Sequence, residues 1–548
     1  MSEHFSSALH AAMDHSGQVD AVVVGAGFAG LYMVYKLRNM GLRVQVFEAN
    51  ADVGGTWYAN RYPGLRCDAE SVEYSYSWSE ELQQDWCWSE RFATQPEILD
   101  YIRHVAERFD LRRHVQFDTR VISAAFDDTT GLWEVRTDQG NTVCARYFIM
   151  ASGCLSFARL PHIEGLETFD GTCYHTVDWP KAGVDFRGKR VGIIGTGSSG
   201  VQLIPVAAQH AEHLYVFQRT PAYVVPARNA PLEADYVSNI KNDYVAIRAA
   251  ARQQGLGLHP RPTESALEVS AQTREQTFEH QWSIGGPQFM FTYNDMLTNT
   301  QANQYAVDFL HRKIRSIVTR ADVADELCSH DYPVGAKRIC VGTDYYETYN
   351  RANVSLVNVR KSPIDRIVPR GIRTRDDEYA LDAIVFATGY DAMTGALLDV
   401  DIRGRNGRRL ADKWAAGPQN YLGVSVFEFP NFFMITGPGS PSVFSNVVLS
   451  IEQHVDWVSD CLQHMQEKGW SRVEVKEQAV LDWVEHVNQV ANSTLIPQAN
   501  SWYVGANIPG KPRVFMPYVG GVGAFRKKCD AETQSGYASF EFAAIKAE

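Results

Sequence analysis

The chain has 548 residues, of which 45% are hydrophobic, 11% aromatic and 21% charged, and its formal net charge is −12. That composition supplies apolar material for several cores, and the acidic balance argues against a nucleic-acid polyanion as partner. Nine cysteines without a single CxxC pair fit neither a zinc framework nor a disulfide scaffold, so reduced thiols in a cytoplasmic protein are expected.

Residues 1–18 carry no basic start followed by an apolar core, so they read as a loose tail and not as a signal peptide. No apolar run reaches the roughly 20 residues of a membrane helix. Asp20–Gly25, DAVVVG, is a β-branched run expected of a strand buried on both faces. GAGFAG follows, with Gly25 for the tight turn, Gly27 for close backbone approach to a pyrophosphate and Gly30 for helix packing. LYMVYKLRNM is helical, with Leu31, Val34 and Leu37 toward the sheet and Gly41 as its terminator. LRVQVFEA is the next strand and ends on Glu48, the position of a ribose hydroxyl acceptor. Strand, glycine loop, helix, strand and acid in that order constitute a dinucleotide-binding unit.

Gly54–Trp78 is dense in glycine, aromatic and polar residues and suits no regular element. Trp57, Tyr58, Tyr62, Asp68 and Tyr74 in one connector suggest a loop that lines a site; packing into core is the competing reading. Residues 88–115 read as helical, and residues 116–149 as a small antiparallel meander around the TDQGN turn. GKRVGIIGTGSSG then repeats the dinucleotide pattern with Gly195, Gly197 and Gly200. The strand after it ends on Gln218-Arg219-Thr220 instead of an acid. A carboxylate there would repel a 2′-phosphate, whereas Arg219 and Thr220 bind one, so NADP(H) is expected in place of NAD(H). Residues 222–334 form a largely helical insertion. Leu381–Asp391 is a buried strand, Asn431–Asn446 a strand with a Gly/Pro/Ser loop, and Ser450–Gly469 an amphipathic helix with Ile451, Val458, Leu462 and Met465 inward. The tail holds a Gly/Pro-rich loop with Trp502. The fold class is α/β, with two Rossmann-like dinucleotide-binding domains and a helical insertion. The expected division is 1–153 and 388–548 for the first domain and 154–387 for the second.

Between the two glycine loops stands FDGTCYHTVDWP, with Phe169, Gly171, His175, Thr176, Trp179 and Pro180 matching FxGxxxHTxxWP. With both flanking GxGxxG loops and ATGYD at Ala387–Asp391, the chain resembles the type I Baeyer–Villiger monooxygenases over nearly its whole length.

The resemblance implies FAD on the first loop and NADPH on the second. It implies insertion of one atom of dioxygen beside a ketone carbonyl, giving an ester or lactone through a flavin C4a-peroxide and a tetrahedral adduct. Aryl or cyclic ketones are the expected substrates, with sulfoxidation as a side activity. Both oxygen anions need a fixed cation shielded from water. The motif match makes that cation Arg338, with Asp68 as its acidic partner; Arg stays charged at any working pH. Carried over residue by residue, the FAD contacts are Gly25, Gly27, Phe28, Gly30, Glu48, Gly55, Thr56, Trp57, Asp68, Tyr74 and Val121. The NADP contacts are Gly195, Thr196, Gly197, Ser198, Ser199, Gly200, Arg219, Thr220, Lys337, Arg338 and Trp502. Trp502 lies on a mobile loop near 497–513 that would close over NADP+. Ser442, Val443, Phe444 and Met516 would line the substrate pocket, and His175 would have a conformational role. No metal is implied, and a monomer or weak homo-oligomer is expected.

Three features depart from the family pattern. Ala59 stands where a Trp is usual, Ala352 where an Asp is usual, and the segment from Pro517 differs. The alternatives are an N- or S-oxygenating flavin monooxygenase and a non-catalytic flavin-binding redox sensor. A disulfide reductase would need a paired redox cysteine motif, which the chain lacks.

Overall fold

A computed structural model describes residues 17–158, 160–255, 260 and 262–544. The expected loose tail therefore lies outside the described residues up to residue 16, and Gln18 already begins the first strand.

The first glycine loop joins β1 (Gln18–Val24) to α1 (Phe28–Asn39), and β2 (Val44–Phe47) pairs parallel to β1. Every residue of β2 is buried, as expected of a central strand covered on both faces. On α1, Leu31, Val34 and Leu37 are at most 1% exposed. At about 1.5–3 kcal/mol for each fully buried aliphatic side chain, they fix the helix on the sheet. Gly41 takes φ +79° just past the helix end, a conformation open to glycine at little cost.

β3 (Val115–Gln116) extends this sheet beyond β2. β4 (Val121–Asp127), β5 (Leu132–Thr137) and β6 (Thr142–Met150) form the expected antiparallel run, but not as a separate small sheet. β6 continues as the parallel neighbour of β1, because its second half, from Tyr147 on, is apolar and buried on both faces. The helix expected over 88–115 is shorter, α2 at Gln95–Arg108. Pro96 sits in its first turn, and residues 88–94 run as loop with backbone bridges from Glu90 to Pro231 and from Thr94 to Arg66.

The second sheet is wholly parallel. β7 (Thr172–His175), β8 (Arg190–Ile194) and β9 (His213–Gln218) precede the insertion, and α3 (Ser198–His210) links β8 to β9. The insertion holds α4 (Ala234–Ala251), α5 (Ala271–Ile284), α6 (Thr300–Ile317) and α7 (Ala321–Leu327). A short pair flanks it, β10 (Val224–Pro226) with β11 (Cys340–Gly342). β12 (Val354–Asn358) then returns beside β9. A three-stranded antiparallel sheet follows, of β13 (Ile364–Val368), β14 (Gly371–Thr374) and β15 (Glu378–Ala380). β16 (Ala383–Phe386) inserts between β8 and β7, giving the order β12-β9-β8-β16-β7. β17 (Asp401–Arg403) and β18 (Phe432–Met434) go back to the first sheet, beside β4 and β6.

α8 (Val447–Lys468) begins three residues before the expected helix because the Asn446 side chain accepts from the Val448 amide and caps it. It is buried on more than the anticipated stripe: Ile451, Val458, Leu462 and Met465 face core, and so do Glu452 and His454. The two-sheet α/β architecture agrees with the sequence reading.

Candidate active site

The first glycine loop is built around contacts that exclude a side chain. Gly27 and Gly55 face each other so closely that a Cβ on Gly27 would lie 3.3 Å from the Gly55 Cα. Gly25 and Gly30 close the turn beneath them. No side chain caps α1 at Gly27, so its first-turn amides are left for an anion. Glu48 is buried at the end of β2, accepting from the Ala26 amide at 2.7 Å and from the backbone and side chain of Asn50 at 2.8 and 2.7 Å. One acid thus braces the glycine loop.

The aromatic loop is both things that the sequence allowed. Thr56 opens a one-turn helix, Thr56–Ala59, and is exposed. Trp57, Tyr62 and Tyr74 are under 10% exposed and belong to the core. Trp57 Nε1 donates to the Tyr74 hydroxyl at 3.2 Å, and Phe28 meets Tyr74 edge-on at 5.4 Å. The Val121 side chain is buried with Phe47 and Trp133, so only its backbone is left to meet a ligand.

The second loop leaves a more open cradle. Gly195 has φ +113°, and a Cβ there would lie 2.3 Å from the Ala387 carbonyl oxygen. At Gly197, by contrast, a Cβ would meet nothing within 4 Å, and no side chain caps α3. Thr196 Oγ1 donates to the Thr220 carbonyl at 3.1 Å, and the Ser198 hydroxyl lies 3.6 Å from Cys340 Sγ. Ser199 interacts with the Tyr62 hydroxyl and Gly200 packs on Gly195. Beyond β9, Arg219 and Lys337 have no carboxylate partner among the described residues. Burial, then repulsion from Arg219, pushes the Lys337 ammonium down to about 8. Cations that repel one another and lower each other's hold on a proton have the chemistry that favours an anion such as a phosphate. Arg360 is a third member that sequence reasoning missed: it reaches Thr220 Oγ1 at 3.4 Å and pairs with Asp331. The signal available was its place just after β12, the neighbour of β9.

Arg338 ties together three segments distant in sequence. Its Nε and Nη2 donate to the two Asp68 carboxylate oxygens at 2.9 and 2.7 Å, and Nη1 donates to the Val443 carbonyl at 2.7 Å. Burial opposes its charge, but the field and hydrogen bonds of Asp68 outweigh that penalty and the shift is upward. Three of its five N–H groups are thus engaged and the guanidinium plane is fixed. Beside it, Val443, Phe444 and Met516 share one apolar cluster with Tyr503 and Met393. Phe444 lies 4.5 Å from Tyr503, and Trp502 4.3 Å. Ser442 is buried with φ +27° and Met393 has φ +67°, strained backbone of the kind that collects at working sites. Tyr503 was not anticipated from the sequence, where Trp502 drew the attention.

The fingerprint occupies the edge of the second sheet. His175 ends β7; its Nδ1 accepts from the Val177 amide at 3.1 Å and its Nε2 lies 3.5 Å from Thr388 Oγ1. Burial lowers its affinity for a proton, Asp178 partly opposing, which favours the neutral ring. The Thr176 amide donates to the Phe386 carbonyl, and Trp179 packs with Tyr174 and Phe186. Gly171 would clash with the Asp382 carbonyl if it carried a side chain, and the Phe169 ring lies against it. Pro180 follows Trp179 at the end of the segment. All nine cysteines are free, and those near the site, Cys67, Cys154 and Cys340, are pushed up by burial, so none is poised as a thiolate. No group of side chains among the described residues could hold a metal ion, and no described helix is long and apolar enough to cross a membrane.

A flavin-binding monooxygenase-like family profile matches residues 19–237. A Baeyer–Villiger monooxygenase of Pseudooceanicola batsensis is 45% identical over 528 residues, 95% of each chain. Phenazine N-monooxygenase PhzNO1 of Lysobacter antibioticus is 40% identical, covering 95% of this chain and 96% of its own. Cyclohexanone 1,2-monooxygenase of an Acinetobacter species is 40% identical, covering 96% and 97%. Among solved structures, a steroid monooxygenase bound to NADP superimposes with a TM-score of 0.92 at 50% identity, covering 96% of this chain and 100% of that one. OTEMO in complex with FAD and NADP gives 0.93 at 40% identity, covering 96% and 99%.

Proposed function

The chain belongs to the type I Baeyer–Villiger monooxygenases, and from that premise we propose that it uses NADPH and dioxygen to insert one oxygen atom beside the carbonyl of a cyclic or aryl ketone. FAD and NADP are its cofactors. The observation that carries the proposal is the fixed Arg338 guanidinium, paired with Asp68 and pinned to the loop that bears Val443 and Phe444.

The residues present fit both nucleotides. The Gly27–Gly55 gap and the uncapped start of α1 suit the FAD pyrophosphate, with Glu48 for its ribose. The open space at Gly197, the uncapped start of α3 and the cations Arg219, Lys337 and Arg360 suit NADP with its 2′-phosphate. The division into 1–153 with 388–548 for FAD, and 154–387 for NADP, follows from the same assignments. When bound, FAD supplies the electron relay and the oxygen activation that the side chains lack.

The chain's own residues supply the rest. Arg338 presents positive charge to the oxyanion that forms on the substrate carbonyl when its carbon becomes tetrahedral. Asp68 holds the guanidinium in orientation, so no reorganisation is needed as the negative charge develops. Phe444, Tyr503 and Met516 exclude water and bound the ketone's apolar part. Ser442 sets the turn that aims the Val443 carbonyl at Arg338. His175 bridges the fingerprint to Thr388 in the crossover and transmits position, not protons.

A second reading has one specific observation behind it: a relative named for N-oxygenation is 40% identical over most of the chain. One experiment separates the two. Arg338→Ala is expected to lower ester formation at least about 100-fold, the cost of losing one charge-stabilising group, while NADPH reduces the flavin at near the wild-type rate. An N-oxygenating enzyme needs no oxyanion partner and would lose little turnover on an amine. Undiminished ester formation by the variant would overturn the assignment of Arg338.

A further inference from the structure

The loop carrying Trp502 is fastened to the crossover between the two sheets through a pair of charged residues. Lys511 has a side chain only 8% exposed; its ammonium donates to the Asp391 carboxylate and, at 2.6 Å, to the Ala392 carbonyl. Four residues earlier, Asn507 Nδ2 donates to the Tyr390 carbonyl at 2.6 Å. Tyr390 donates its hydroxyl to Asn60 Oδ1 at 2.7 Å, and Asn60 Nδ2 donates to the Thr56 carbonyl at 2.9 Å. A continuous line of hydrogen bonds thus runs from the flavin-side lip at residues 55–60, through Tyr390 and Asp391, into the late loop.

That loop is folded on itself, so a pin at one end positions the other. The Lys511 amide donates to the Ile508 carbonyl and the Met516 amide to the Tyr503 carbonyl. A side chain on Gly505 would lie 2.7 Å from the Pro512 carbonyl and 3.2 Å from Lys511 Cγ. Arg513 reaches Asn500 Oδ1 at 2.8 Å. Trp502 is therefore held by what holds Lys511. Desolvating a lysine and an aspartate together gains little net stability over an apolar pair, and burial does lower the Lys511 ammonium's hold on its proton. The charged pair is explained by position: it accepts one partner in one place.

We propose that Lys511 and Asp391 are a pair of positioning residues that latch the Trp502 loop across the nucleotide cleft and set how long NADP+ is retained. The inference rests on the reading of that cleft as an NADP site. Because the latch reaches Asn60 through Tyr390, closure of the loop and placement of the flavin-side lip are one event.

The test uses the FAD-loaded enzyme and NADP+ itself. The variants are Lys511→Met, Asp391→Asn, the two together, and the exchange Lys511→Asp with Asp391→Lys. Two quantities are read: the NADP+ dissociation constant by equilibrium dialysis, and tryptic cleavage after the exposed Arg513 with and without NADP+. Each single variant is expected to bind NADP+ at least tenfold more weakly and to lose protection of Arg513. The double variant is expected to be no weaker than the singles, and the exchange to recover part of the loss. Singles within twofold of wild type, or losses that simply add in the double, would overturn the latch. Should the charged variants fail to fold, Asn507→Ala removes the Tyr390 arm without stranding a charge; a threefold or greater loss of affinity supports the latch and an unchanged affinity refutes it. A wild-type protein that binds no NADP+ would overturn the cleft assignment and the latch together, whereas normal wild-type binding with unaffected variants removes the latch alone.

Discussion

Gly197→Ala should separate binding from folding more cleanly than any other substitution in the second loop. The three glycines of GTGSSG have different surroundings. Gly195 lies at φ +113°, with the Ala387 carbonyl oxygen 2.3 Å from where a Cβ would stand, and Gly200 would place a Cβ 2.3 Å from the Gly195 carbonyl oxygen. Alanine at either must move backbone. Gly197 has φ −80°, which any residue adopts, and nothing lies within 4 Å of a Cβ. For folding, alanine narrows the unfolded ensemble by about 0.4–1 kcal/mol and is a poorer helix cap by a similar amount. The two offset, and the thermal midpoint is expected to stay within about 2 °C. For binding, the new methyl occupies the space a pyrophosphate would enter above α3. A loss of about 1.4–3 kcal/mol, or roughly 10–150-fold in NADPH affinity, follows. The assay pairs a thermal melt of the FAD-loaded protein with NADPH titration. NADPH affinity within threefold of wild type at an unchanged midpoint would refute the placement of the phosphates. A midpoint lower by more than about 5 °C would refute the claim that the glycine answers to a ligand and not to the fold.

Lys337 gives a pH signature. With its ammonium pushed down to about 8, the cation is present below that pH and lost above it, so the KM for NADPH should rise from pH 8 to 9.5 while that for NADH stays flat. Lys337→Met should remove the rise and raise the NADPH KM at pH 7 at least tenfold; parallel profiles for the two nucleotides would refute the 2′-phosphate contact. Phe444→Ala opens the pocket beside Tyr503 and should change the ratio of kcat/KM for an aryl against a cycloalkyl ketone by about tenfold or more, the 1–3 kcal/mol that apolar fit supplies. An unchanged ratio with intact flavin binding would place Phe444 outside the pocket.

What could be read from the sequence was local. The two glycine loops are legible because strand, turn, helix and terminal residue lie within thirty positions, and each glycine answers to a neighbour a few residues away, as Gly30 does to Gly25. Residues 54–78 were ambiguous for a physical reason. Aromatic side chains that line a cleft and those that fill a core have the same composition, and here Trp57 and Tyr74 pack as core while Gly55 and Thr56 edge the gap. The non-local partners were not legible from pattern at all. Tyr503 beside Arg338, Arg360 beside Thr220 and Lys511 beside Asp391 each depend on how two distant segments meet, and no periodicity encodes that. Arg338 with Asp68 was reached only through the resemblance to a family; on its own, RICVG after an insertion reads as an ordinary short strand with a charge before it.

The position of Arg338 explains why the site needs both sheets. It precedes β11, which pairs with β10 at the base of the insertion, while its carboxylate partner comes from the loop after β2 and its carbonyl partner from the turn before α8. A guanidinium held by only one of these could rotate. Held by both, it keeps its plane, and two of its N–H groups make no hydrogen bond among the described residues. A charge that must be ready before the substrate oxyanion appears cannot be supplied by a flexible chain, because reorganising it would cost what the interaction returns. The three-way anchorage therefore belongs to the chemistry as much as to the fold. It also makes a prediction about partial disruption: Asp68→Asn, which keeps the shape of the side chain but leaves one acceptor for Arg338 in place of two and no charge, should leave flavin binding intact and lower ester formation less than Arg338→Ala does. The loss should appear in kcat and not in the ketone KM, since a less firmly oriented guanidinium fails the charge that develops after the ketone has bound. A pure KM effect would mean that Asp68 shapes the pocket and does not hold the charge.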